Sequence, residues 1–150
     1  MNQQLELINI KKTKTNVINV LKSYQQTLQL AKMLNPAMVG SPKFSAVPHS
    51  VTYQNTQEQR MQVYLEKKEE LAAIENVVGT YLDHEQQEII YYLYLCDDNN
   101  RKIMKELMID MFLSRRTFYQ IYDKALMKFA DNYYFDGIEL RVFNFKSELV

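Results

Sequence analysis

Apolar residues recur at steps of three and four over most of the chain, a pattern that predicts helices. Val17, Val20, Leu21, Tyr24, Leu28, Ala31 and Leu34 make one stripe, predicting a helix over about 12–34 that Asn35-Pro36 ends. The period is lost over 36–55, which holds all three prolines and Gly40, so this stretch is expected to be a flexible linker, mobile or wrapped around a partner. A second long helix is expected over about 57–82, with Met61, Tyr64, Leu65, Leu71, Ile74, Val78 and Tyr81 broadly on one face. Asp83 followed by Gln86 forms a capping-box pattern, opening a third helix through Ile89, Ile90, Leu93 and Leu95. Asp97-Asp98-Asn99-Asn100 stops it and offers a cap for a fourth helix over about 101–110, and a fifth follows over about 115–134. The last stretch, Ile138 onward through Phe143 to Phe145, is rich in strand formers and partly alternates. It reads as a short strand or as an extended tail packed on a neighbour; a lone strand cannot satisfy its own backbone, so a partner is expected, a second copy of the chain being one candidate.

These elements predict an all-α protein: an N-terminal helical arm (1–35), a linker (36–56), a multi-helix domain (57–137) and a short extended C-terminal tail (138–150). The fourth and fifth helices, within about 101–134, read as a helix-turn-helix. Leu107, Met111 and Leu113 are the expected buried positions before and in the turn, and Phe118, Tyr122, Ala125 and Phe129 continue inward at steps of four, three and four. Ser114 is a good N-cap, and the helix end it caps favours a nearby phosphate. Ser114, Arg115, Arg116, Thr117, Tyr119, Gln120, Asp123 and Lys124 are left facing out or flanking, and all of these but Asp123 are expected at the major groove of double-stranded DNA. Arginine can read guanine and glutamine adenine, so one of Arg115 and Arg116 is expected on bases and the other on a phosphate. Lys102, Lys124 and Lys128 are expected on the DNA backbone. Met108 stands where the helices cross and Phe112 where the turn commonly has glycine, so a slight splay of the pair is expected.

Net charge is zero, which alone argues against nucleic acid, but the charge is segregated. Residues 1–33 carry net +4, residues 57–98 net −7 and residues 101–128 net +4. Two basic segments flank an acidic one, suiting a DNA-facing end and a protein-facing middle. The apolar fraction of 47% and the charged fraction of 24% are ordinary for a globular domain. The longest apolar run, ending at Cys96, is too short to span a bilayer, and the N-terminus lacks a secretory pattern. Cys96, the single cysteine, is expected to be a reduced core thiol in a cytoplasmic protein.

Taken together, Leu82-Asp83-His84-Glu85-Gln86-Gln87-Glu88-Ile89-Ile90, the run from Glu106 to Tyr119, and Lys124-Ala125-Leu126-Met127-Lys128-Phe129-Ala130 resemble region four of bacterial sigma factors. Lys11-Lys12-Thr13-Lys14-Thr15-Asn16-Val17, Leu21-Lys22-Ser23-Tyr24 and Ser41-Pro42-Lys43-Phe44 are similar to ArpU-type phage regulators, and RinA-type activators share the C-terminal pattern. The resemblance covers nearly the whole chain through loose motifs. It implies a phage or prophage activator of late genes that binds upstream DNA and contacts host RNA polymerase; apart from the resemblance, the long helices and the tail are candidate surfaces for a homo-oligomer.

Catalysis and cofactors find no support in the residues. His49 and His84 have no second ligand at metal spacing, and Asp97-Asp98-Asn99-Asn100 lacks the glycine and terminal glutamate of a calcium loop. Ser114 has no base beside it, so no enzyme, metal or cofactor is expected. The tyrosines at 91, 92, 94, 119, 122, 133 and 134 fall on core-forming patterns and are expected to pack rather than stack on single-stranded bases. Two rivals to DNA readout are a polymerase-binding module of the same fold and a helical assembly protein.

Overall fold

A computed structural model describes residues 8–39 and 51–144. Expectations placed on 1–7, 40–50 (the Ser41-to-Phe44 motif and His49 among them) and 145–150 lie outside the described residues. The described part is all-α: α1 (Ile10–Lys22), α2 (Tyr24–Leu34), α3 (Pro36–Val39), α4 (Val51–Tyr81), α5 (His84–Ile90), α6 (Met104–Asp110) and α7 (Arg115–Asn132). A π-helical turn (Tyr91–Leu95) extends α5, and a 3₁₀ turn (Asp98–Asn100) precedes α6.

The first expected helix is two. Asn9 caps α1 by accepting from the Lys12 amide at 3.0 Å. At Ser23 the hydroxyl donates to the Val20 carbonyl at 2.7 Å, and the Ser23 amide is shared between Asn19 and Val20. A serine bonding back onto its own helix bends it, so the stripe turns a corner while staying inward: Val17, Leu21, Tyr24 and Ala31 are all buried. The expected linker is shorter at both ends, since 36–39 is helical and α4 begins at Val51. Helix α4 contacts α2, α7 and α5, and among its described side chains the buried ones lie on the later turns. Leu71, Ile74 and Val77 are buried, whereas Met61, Leu65 and Tyr81, expected inward, are exposed.

The capping box forms as expected: the Gln86 amide donates to Asp83 at 2.9 Å and the Asp83 amide to Gln86 at 3.0 Å. Helix α6 starts three residues later than expected, with Glu106 accepting from the Ile103 amide at 3.0 Å. Asn100 caps nothing there; instead Asp97 caps the short 3₁₀ turn through the Asn100 amide at 3.1 Å. Cys96 is buried, and burial pushes its thiol pKa up.

Helix α7 lies at the centre of the core, contacting α1, α4 and α5. Phe118, Tyr122, Ala125, Leu126, Phe129 and Ala130 are buried along it. Tyr122 and Tyr94 share a buried hydroxyl–hydroxyl bond of 2.6 Å, satisfying two polar tips inside an apolar core. After α7 the chain turns back through Asp136 (φ 56°) and Gly137 (φ 70°), where glycine adopts the left-handed region at little cost.

The described part of the tail is extended and finds a partner in this chain's own N-terminal segment. Asn9 donates its amide to Val142 O at 2.6 Å, within a single antiparallel bridge between Ile8 and Phe143. The Val142 amide donates to Thr13 Oγ1 at 2.9 Å, and Asn16 Nδ2 donates to Leu140 O at 3.0 Å. Polar side chains of α1 thus do what a neighbouring strand was expected to do. Among the described residues no helix is long and apolar enough to cross a membrane.

Candidate nucleic-acid interface

The turn between α6 and α7 has a defined geometry. The Phe112 amide donates to Ile109 O at 3.2 Å and the Leu113 amide to Met108 O at 2.9 Å. This crossed pair is the Schellman closure of a helix, which needs a left-handed residue just past the C-cap. Phe112 supplies it at φ 57°, standing where glycine is usual, with its ring 94% exposed. Met108 and Leu113, the positions that such a closure brings together, are half-buried against the core.

Beyond the turn the Ser114 hydroxyl accepts from the Thr117 amide at 3.2 Å, capping α7. Arg115, Arg116, Thr117, Gln120 and Lys124 are exposed, on the side of α7 away from the buried Phe118 and Tyr122. Neither arginine is paired with a carboxylate among the described residues. Arg115 sits over the Tyr119 ring, 5.4 Å from its centroid, an arrangement that orients the guanidinium and leaves its N–H groups available. The first two turns of α7 therefore combine an open amide end, two unpaired guanidinium groups and two neutral polar side chains. Such a surface can accept a phosphate and donate to base edges.

Three expected residues are engaged elsewhere. Tyr119 is half-buried, its hydroxyl against Met104 Sδ at 3.3 Å. Lys128 donates to Gln86 Oε1 at 3.3 Å, bracing α7 against the α5 capping box. Lys102 is bound to Asp110 at 2.8 Å, which raises its pKa, and sits over the Tyr92 ring at 4.4 Å. These two lysines are structural braces before they are backbone contacts.

Asp123, expected outward or flanking, places an acid beside the cationic surface. Lys14 of α1 holds it at 3.0 Å, offsetting its charge. No signal in the sequence links residues 109 positions apart. Among the described residues no group of three His, Cys, Asp or Glu side chains is placed to hold a metal. Compared with family models, curated proteins and solved structures, the chain matches none.

Proposed function

We propose that the chain is a sequence-specific DNA-binding transcription regulator, with α6 and α7 as its helix-turn-helix and α7 as the helix that enters the major groove. The carrying observation is the exposed, carboxylate-free pair Arg115 and Arg116 on the capped end of α7. Ser114, Thr117 and the free amides of the first turn position a phosphate, one of Arg115 and Arg116 meets base edges with Gln120 while the other meets a phosphate, and Lys124 meets the backbone. Likeness of the motifs to ArpU-type and sigma-region-four sequences makes a cytoplasmic phage or prophage activator of late genes the reading to test first, with host RNA polymerase as second partner.

The test is selection from random duplexes followed by anisotropy titrations. An enriched sequence is expected, with Arg115→Ala or Arg116→Ala costing about 1–3 kcal/mol on it and relaxing one base position. Four to six phosphate contacts predict a log–log salt slope of roughly −4 to −5. A polymerase-binding module without readout would bind polymerase and enrich no duplex.

A further inference from the structure

A groove of about 660 Å³ opens between α2, the last turns of α4, α5 and the π-helical turn. It lies outside the α6–α7 surface and shares no residue with it. Its walls include Tyr24, Glu75, Gly79, Glu88, Tyr91 and Tyr92. The volume falls in the range of sites that hold one large side chain or a small ligand.

Its chemistry is one-sided. Two carboxylates and one histidine, His84, line it, and no lysine or arginine does. Neither Glu75 nor Glu88 has a cationic partner among the described residues. Tyr24 donates its hydroxyl to Glu75 Oε2 at 2.6 Å, fixing that carboxylate in the wall and leaving its other oxygen as an acceptor. Tyr91 and Tyr92 meet edge to face at 5.1 Å, and Tyr91 is 47% exposed. The nearby Lys102 ammonium over Tyr92 is already bound to Asp110 and does not line the groove.

Two backbone features shape the opening. The π-helical turn, closed by the Cys96 amide on Tyr91 O at 2.9 Å, brings Tyr91, Tyr92 and Leu95 together on the wall. Such turns recur at functional sites. Gly79 in α4 leaves the side of the groove bare, and a Cβ built there would meet nothing within 4 Å. Glycine is a poorer helix former than alanine, so this position gives up stability for open space.

We infer that this groove receives an arginine side chain presented by a partner protein. A guanidinium is planar, stacks on tyrosine faces and binds carboxylates through two N–H groups at once, matching the walls better than an ammonium does. The groove lies within the segment of net charge −7, so an approaching basic segment is drawn towards it. The inference stands whether or not α7 reads DNA.

The test uses capped tri-arginine, tri-lysine and tri-citrulline peptides, titrated by calorimetry and by amide shift mapping on the full chain. Tri-arginine should shift amides around Gly79 and Tyr91, with tri-lysine weaker and the neutral tri-citrulline not binding. Gly79→Phe fills the space without removing charge, and Glu75→Gln with Glu88→Gln removes charge without filling space. Each should weaken tri-arginine binding at least tenfold, with a thermal melt confirming the fold of each variant. Tri-arginine binding unchanged in Gly79→Phe would mean diffuse attraction to an acidic surface and would overturn the assignment. Equal binding of tri-citrulline would do the same. Self-association that Gly79→Phe dissolves would give the groove to a second copy and would also overturn it.

Discussion

Phe112 offers a sharp test of the α6–α7 turn. An L-residue held in the left-handed region costs about 1–2 kcal/mol, and Phe112 sits there at φ 57°. Its ring is 94% exposed, so little burial offsets that cost. Glycine relieves the strain but gives the unfolded chain back roughly 0.5–1 kcal/mol of freedom. Phe112→Gly should therefore stabilise by about 0.5–1 kcal/mol net, raising Tm by roughly 1–4 °C for a chain of this size. Phe112→Ala keeps the strained backbone and should stay within about 0.5 kcal/mol of the parent. Phe112→Pro forces φ to about −65° and deletes the amide that bonds Ile109 O, so a loss of roughly 3 kcal/mol is expected. Urea melts followed by circular dichroism, at unchanged m-value, measure all three. A glycine variant no more stable than the alanine variant would refute the left-handed turn, and with it the Schellman closure that sets α7 against α6.

Thr13→Val removes the acceptor for the Val142 amide inside a fully buried site and should cost about 1–3 kcal/mol; exchange protection at Val142 should fall with it, while Thr13→Ser retains both. Asp83→Ala breaks the capping box of α5 and should cost about 1 kcal/mol in the same melts. The buried Tyr24, Tyr94, Tyr122 and Tyr133 hydroxyls have raised pKa values, chiefly from burial, with Glu75 adding to the shift at Tyr24 and Tyr94 at Tyr122. A raised folded pKa leaves stability intact below the unfolded value near 10 and lowers it above, by up to about 1.4 kcal/mol per pH unit per tyrosine. For Tyr133 that window closes at about 12. Without tryptophan, ultraviolet difference absorbance tracks the tyrosines directly, and normal titration of all eleven in the folded state would contradict their burial.

What the sequence made legible was local. The Asp83–Gln86 box, the Ser114 cap and the inward stripe of α7 are set by residues within a few positions of one another, and each stands as the pattern predicts. Long-range matters were hidden. Thr13 and Asn16 carry no long-range sign in the sequence, yet they bind a tail more than 120 residues away. Met61 and Leu65 continue the periodicity of α4, but nothing in a period says where its covering ends. At the candidate interface the exposed set was legible from spacing, because the buried Phe118 and Tyr122 fix which side of α7 is free. The engagements of Lys102 and Lys128 were not, because each depends on an element outside its own helix. The groove beside Gly79 had one faint sign in sequence, a glycine inside a long helical pattern.

The most direct measurement is selection from a random duplex pool by the parent chain beside the Arg115→Ala, Arg116→Ala double variant. The parent should enrich one defined sequence, bound far more tightly than scrambled duplex and steeply weakened by salt, and the variant should lose that preference while melting like the parent. Recovery of no sequence by the parent, or of the same one by the variant, would show that α7 does not read DNA.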